Sequence, residues 1–307
     1  MRPFFSIIVP TKNRREMLEK CIDSILNQTF IDFELIAVND HSTDDTLEFL
    51  QTINDNRLQV ILSSGTERSA ALNSGLDISE GRYICFVADD DYISARFLQD
   101  FYDAIEENQF DGCFIPRCML QYVYEDGKAP KNCEVYSKDK YKSFAHFIAF
   151  EFCGIVTLAI PYAIAKNGRF HEKFPHWQDS HYLFQIFDKK LHIEQIYGVN
   201  YFYRIYPTSG KRLEITSEEL LAKAEINVEA IKDAFLSSLP VVKMLPKNSM
   251  NKLVSEKYME YAVRMLIVKG NNKLKLAFKL VLKSMVYGVF FRNWKHYGMF
   301  VKKLFKW

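Results

Sequence analysis

Tyr83-Ile84-Cys85-Phe86-Val87-Ala88-Asp89-Asp90-Asp91 runs six largely apolar residues straight into three carboxylates. The apolar part has the length and composition of a buried strand. Adjacent like charges repel, and carboxylates are costly to hold at the end of a buried strand unless positive charge balances them. The usual balance is a divalent cation. Hard cations such as Mg²⁺ take carboxylate oxygens and complete their shell with substrate phosphates. The triplet therefore points to a site for a metal and a diphosphate. Read alone it is also compatible with a solvated acidic turn, and its neighbours separate the two.

Upstream, strand and helix signals alternate. Phe4–Val9 is an aromatic and β-branched run ended by Pro10, so a strand. Over Arg14–Gln28, apolar Met17, Leu18, Cys21, Ile22, Ile25 and Leu26 fall on one helical face. Phe33–Val38 and Leu58–Leu62 read as further strands, Thr43–Leu50 and Ser69–Leu76 as helices. Such alternation predicts a parallel sheet with helices on both faces, an α/β fold whose ligands bind beyond the carboxyl ends of the strands. Pro10–Asn13, Asn39–Ser42 and Asp89–Asp91 all lie at such ends and should converge on one crevice.

Phe97–Glu107 reads as a helix. The stretch from Asp111 to about Tyr206 is mixed, with short strands expected near Cys113–Ile115, Met119–Tyr124 and Val199–Arg204 and a hairpin turn at Glu125-Asp126-Gly127. Ser180–Asp188 reads as helix, and from Ser217 the pattern is mostly helical. The expected division is residues 1–110 for one half of the α/β domain, 111–215 for the other, and 216–307 for a helical extension.

The chain has 307 residues, 48% hydrophobic and 25% charged, enough to bury a core. Its six cysteines form no CxxC pair and no metal-ligand spacing, which suits reduced thiols in a cytoplasmic protein. No signal peptide and no membrane span is expected. Charge is unevenly spread. Of 40 Lys and Arg, 11 lie after Glu260, where there is no Asp or Glu. The first 260 residues are therefore acidic, and a basic tail on an acidic body points to an anionic surface rather than to nucleic acid.

Several motifs in order resemble the GT-A fold, family 2 glycosyltransferases. They stand as Ser6-Ile7-Ile8-Val9-Pro10-Thr11-Lys12-Asn13-Arg14, Ser24-Ile25-Leu26-Asn27-Gln28-Thr29-Phe30, Phe33 through Asp44, Gly81-Arg82-Tyr83-Ile84-Cys85-Phe86 and the aspartate run. The resemblance covers about the first 95 residues. It implies a Rossmann-like nucleotide-binding sheet, a UDP-sugar donor, Mn²⁺ or Mg²⁺, and inverting transfer of a sugar to an acceptor hydroxyl. Carried onto these residues, it implies that Pro10, Thr11 and Asn13 lie along the nucleoside. Asp40 would accept from the uracil N3–H, a task for an acceptor-only carboxylate. Asp90 would be the main metal ligand, with Asp91 beside it and Asp89 on ribose or the metal shell. Ala88 stands where the commonest Asp-x-Asp-Asp form has its first carboxylate, and Leu72 stands where the family carries an Arg. Arg68, one helical turn earlier, could reach the diphosphate instead.

Inverting transfer also needs a base within reach of the attacking hydroxyl. In Pro175-His176-Trp177-Gln178-Asp179-Ser180-His181, Asp179 matches the family's base, with Gln178 in a slot often filled by Glu. An Asp opening a helix is also an ordinary N-cap.

In the tail, Lys275, Lys279 and Lys283 repeat every four residues, and Phe300, Val301, Leu304 and Phe305 oppose Lys302, Lys303 and Lys306. Basic amphipathic helices bind anionic membranes. With the family's use of lipid-linked saccharide acceptors, this implies a peripheral enzyme on the inner face of the cell membrane, working in cell-surface polysaccharide assembly. The competing reading is a nucleotide-sugar-binding or scaffold protein of the same fold that has lost turnover, which Ala88 and Leu72 favour.

Overall fold

β1 (Phe5–Thr11) and β2 (Phe33–Asn39) are buried at every position, as in a parallel sheet covered on both faces. The computed structural model describes residues 2–132, 154–174, 177–187, 190–206, 215–237, 239–266, 272–287 and 300. The chain divides into two compact units, Met1–Ile205 and Tyr206–Trp307.

In the first unit, β1, β2, β3 (Leu58–Leu62) and β4 (Tyr83–Phe86) pair in parallel in the order β3-β2-β1-β4, and β8 (Ala159–Pro161) joins β4 antiparallel. Between them run α1 (Arg15–Leu26), α2 (Thr46–Thr52) and α3 (Arg68–Ile78). α1 buries Leu18, Cys21, Ile22 and Ile25, the spacing that predicts it. α3 passes so close to the sheet that a Cβ on Gly75 would stand 2.5 Å from Ile8 Cγ2. Chain order turns back between β1 and β4, so the crevice beyond their carboxyl ends is the switch point where such sheets take ligands.

The second sheet has the order β5-β9-β6-β7, from β5 (Tyr92–Ile93), β6 (Phe114–Tyr124), β7 (Lys131–Asn132) and β9 (His192–Ile205). The two short strands expected before Tyr124 are one strand with an irregular register between Arg117 and Leu120. β5, before residue 110, pairs antiparallel with β9 beyond it. α4 (Phe97–Glu107) buries Phe97, Leu98, Phe101 and Ile105. α5 (Tyr162–Ala165) and α6 (Gln178–Ile186) also belong to this unit.

The second unit holds α7 (Ser217–Leu236), α8 (Ser249–Met265) and α9 (Lys273–Val286). Thr216 and Glu219 form a reciprocal capping box at the start of α7. α8 is tied to α7 by Asn227 Nδ2 donating to Tyr261 Oη at 2.8 Å, and to α9 by Ser255 and Ser284 hydroxyls 2.9 Å apart. No helix among the described residues is long and apolar enough to cross a membrane.

Asp91 joins the two sheets of the first unit. Its Oδ2 accepts from the Tyr201 hydroxyl at 2.8 Å and its Oδ1 from the Arg204 backbone N–H at 2.9 Å, both on β9. The Ala88 N–H donates to the same Tyr201 oxygen at 3.1 Å. Asp91 is 1% exposed, so its removal strands two buried donors. Asp91→Ala should therefore cost about 2–3 kcal/mol of unfolding free energy in urea, against under about 1 kcal/mol for Asp90→Ala. Equal losses would remove this distinction between the neighbours.

Candidate active site

A cleft of about 570 Å³ opens at the carboxyl ends of β1 and β4. Pro10, Thr11, Asp40, Arg68, Asp89, Asp90, Asp91 and Asp179 all line it. Asn13 does not belong to the lining. Its φ is 52°, and its Oδ1 accepts from the Thr43 N–H at 2.7 Å while its own N–H donates to Ser42 Oγ at 3.0 Å. Asparagine tolerates this left-handed backbone. Its visible work is to clamp the β1–α1 loop to the β2–α2 loop.

At one end of the cleft, the Asp40 N–H donates to Thr11 O at 2.8 Å, holding the β2 exit against β1. Asp40 Oδ2 accepts from Lys12 Nζ at 3.1 Å, and Lys12 also donates to Thr66 O at 3.0 Å. Asp40 Oδ1 is buried with no hydrogen-bond partner among the described residues. An unsatisfied buried carboxylate oxygen is costly, and a ligand N–H would relieve it.

At the β4 exit, Arg14 Nη1 binds Asp89 Oδ1 at 3.1 Å and also Asp90 Oδ2. Burial pushes the Asp89 carboxyl up to about 6, with Arg14 pulling against it and Asp90 adding to it. Burial, then the Asp90 charge, pushes Asp91 up to about 7. Burial opposes the charge on Arg14, and the two aspartates more than offset that. Asp90 is the more open of the pair on Arg14, its side chain 31% exposed against 10% for Asp89. Cys21 lies beneath the triplet, its Sγ 3.4 Å from Ala88 O. Burial and the three aspartates keep its thiol well above its ordinary range and so neutral.

α3 and α6 contribute Arg68, Ala71 and Asp179 to the wall, beside Gly154, Val156 and Tyr203. Ser69 Oγ donates to Gln178 Oε1 at 2.7 Å, and Asn73 exchanges two 2.9 Å hydrogen bonds with the Phe170 backbone. Gln178 thus pins the start of α6 to α3, which spacing alone did not suggest. Trp177, just before α6, has φ 68°, a strained value for a bulky residue, and packs on Phe184 with ring centroids 5.1 Å apart. Pro175 and His176 lie outside the described residues. Asp179 Oδ1 is buried, accepts no hydrogen bond among the described residues, and stands 3.8 Å from Arg68 Nη1. His181 is buried among His171, Phe174 and Trp177 rings, a packing position. Leu72 is fully buried and takes no part in the cleft.

The donor set suits a hard cation. Asp89 and Asp90 offer oxygens at the cleft wall, the hard donors that Mg²⁺ or Mn²⁺ takes together with phosphates and water. The sequence reading missed Lys12 and Arg14 as site residues. Their signal was their place in the Pro10–Arg14 motif, but their partners lie 28 and 75 residues away.

Residues 6–150 match the glycosyl transferase family 2 profile. An uncharacterized glycosyltransferase, EpsJ, of Bacillus subtilis is 41% identical over 117 residues, 37% of this chain and 34% of that protein. The GalNAc(5)-diNAcBac-PP-undecaprenol beta-1,3-glucosyltransferase of Campylobacter jejuni is 31% identical over 180 residues, 56% of each chain. The matched stretch spans about half or less of the length of these curated relatives. Staphylococcus aureus TarS 1-349, solved in complex with UDP-GlcNAc, superposes with a TM-score of 0.54 at 19% identity, over 91% of this chain and 88% of that one. The mannosyltransferase PcManGT of Pyrobaculum calidifontis, solved with GDP-Man and Mn²⁺, gives 0.54 at 14% identity, over 100% and 87%. The first unit has the GT-A fold, and residues 6–150, just under half of the chain, resemble glycosyl transferase family 2.

Proposed function

We propose that this chain is an inverting, cation-dependent glycosyltransferase. It moves a sugar from a UDP-sugar to a hydroxyl of a saccharide acceptor, lipid-linked, in cell-surface polysaccharide assembly. The carrying observation is that one cleft gathers Asp40, with one buried oxygen left without a hydrogen bond among the described residues, the Asp89–Asp90 pair on Arg14, and Asp179. The undecaprenol-linked substrate in the name of the Campylobacter relative and the UDP-GlcNAc bound by TarS support the acceptor and donor classes.

Uracil presents one imide N–H between two carbonyl oxygens. Asp40 Oδ1 accepts the N–H, and Lys12, held on Asp40 Oδ2, is a donor for the neighbouring carbonyl. Guanine offers two adjacent donors and needs two acceptors, and Lys12 already fills the second. This favours UDP over GDP. Asp89 and Asp90 would hold the cation, which would supply charge neutralisation for the departing diphosphate. Asp91 positions that pair through Tyr201 and Arg204. Arg68 binds the diphosphate from the α3 side. Asp179 takes the proton of the acceptor hydroxyl as its oxygen bonds to the sugar C1. The bond from C1 to the diphosphate oxygen breaks on the opposite face, and its electron pair leaves with UDP. The acidic triplet, its Mn²⁺ or Mg²⁺ and a peripheral place on the inner membrane face belong to the same reading.

Three measurements check it. UDP should raise the melting temperature more than GDP, and Lys12→Ala should narrow that gap. Asp179→Asn should lower transfer about 10³-fold while UDP still binds within about twofold. Full transfer by Asp179→Asn would remove the base assignment, and UDP binding without turnover in the wild type would favour the scaffold reading. Arg14→Gln should raise Mn²⁺ affinity in the absence of nucleotide about tenfold, read by electron paramagnetic resonance, because the resident counter-ion is gone. Unchanged affinity would end Arg14's counter-ion role.

A further inference from the structure

α9 carries its large apolar side chains on the outside. Its inward positions are Ala277, Leu280, Val281 and Ser284, two of them small, and Ser284 meets Ser255 of α8 hydroxyl to hydroxyl. Leu274, Phe278, Leu282 and Met285 are 50%, 47%, 64% and 49% exposed. With Val286 they make up five of the ten large apolar side chains exposed among the described residues. Their spacing of i, i+4, i+8 and i+11 draws one stripe along the helix. Phe300 meets Phe278 edge-on at 5.6 Å, and the rest of that ring stays open.

Lys275 and Lys279 are exposed on the flank of this stripe. The third lysine of the expected row is not one of them. Lys283 binds Glu225 of α7, and its Nζ lies 5.5 Å from the Tyr258 ring centre. It belongs to the packing of the bundle, which is why a stripe of three lysines is the wrong description of this face. The residues of the expected second basic segment beyond Phe300 lie outside the described residues.

We propose that α9 lies in the plane of an anionic bilayer, with Leu274, Phe278, Leu282 and Met285 among the acyl chains and Lys275 and Lys279 at the phosphate level. The occupant follows from charge. An apolar stripe alone would suit a second copy of this chain equally. A stripe bordered by lysines, in a segment from residue 261 onward with 11 basic and no acidic residues, repels its own copy and attracts a negative surface. The inference rests on the membrane location proposed above, but needs neither donor nor catalysis.

The test is flotation of the full chain with vesicles of phosphatidylcholine alone or with about 30% phosphatidylglycerol. The wild type should float with the anionic vesicles only. Phe278→Ser/Leu282→Ser, with every charge kept, should lower the bound fraction at least about tenfold. Lys275→Gln/Lys279→Gln should lower it less and flatten its salt dependence. Leu236→Ser, at the exposed end of α7, should bind like wild type, and circular dichroism checks that each variant is folded. Anionic binding undiminished by the serine pair would overturn the insertion, as would no vesicle binding by the wild type. So would a wild-type dimer in light scattering that the serine pair turns to monomer without any lipid effect. Transferase assays run separately, so loss of the enzyme reading leaves this result standing.

Discussion

Asp89, Asp90 and Asp91 leave the end of a buried strand one after another, and their burial sets the terms for everything around them. Their charges are met in two ways. Asp91 turns inward to two donors of β9 and becomes part of the join between the sheets. Asp89 and Asp90 share one guanidinium from the far side of the β1–α1 loop. The chain turns here, the Asp91 N–H donating to Ala88 O at 3.1 Å, so Asp89 and Asp90 meet Arg14 while Asp91 meets β9. One member is left to anchor the other two. Two carboxylates on one guanidinium suit the cation and diphosphate of the proposed reaction.

The opposite end of the cleft works by hydrogen-bond arithmetic. Lys12 occupies one oxygen of Asp40 and leaves the other buried and unsatisfied, so the protein carries a local cost until a donor arrives. The distance between this end and the triplet is bridged by backbone, since the Asp40 N–H rests on Thr11 O and the Val87 N–H on Ile8 O. Both ends are therefore fixed to β1. The wall bearing Asp179 is fixed separately, through Ser69, Gln178 and Asn73, to α3. Rigid placement of this sort limits the orientational freedom that a transfer reaction must otherwise overcome.

The sheet that carries the site was legible because β1 to β4 are short apolar runs separated by helices of regular spacing, and period alone distinguishes those. The cleft residues were legible because they sit at strand ends, where chain order already says they converge. The second sheet was not. β9 runs from His192 to Ile205, yet only its last residues alternate, and β6 shifts register near Arg117, so each looked shorter than it is. Partners far apart in sequence were hidden for the same reason. Arg14 reads as a helix-opening residue until Asp89 is seen beside it, Gln178 as a substitute for Glu until Ser69 meets it, and Lys283 as one of a row until Glu225 takes it. Periodicity assigns a side chain to a face. What waits on that face is tertiary information.

α9 shows how much that difference matters. Its hydrophobic positions alone describe a helix with apolar residues on most of its circumference, which would ordinarily be buried on all sides. The bundle instead takes the small side chains, because Ala277 and Ser284 let α9 approach α8 closely enough for Ser284 to reach Ser255. Larger residues at those positions would hold the helices apart and break that contact. Once the small face is committed to α8, Leu274, Phe278 and Leu282 have nowhere to go but outward. These side chains are about half exposed, so leaving them in water forgoes burial worth on the order of 1 kcal/mol each. A soluble bundle under no other demand would carry polar residues there, and Lys275 and Lys279 set the sign of the surface that the exposed stripe can accept.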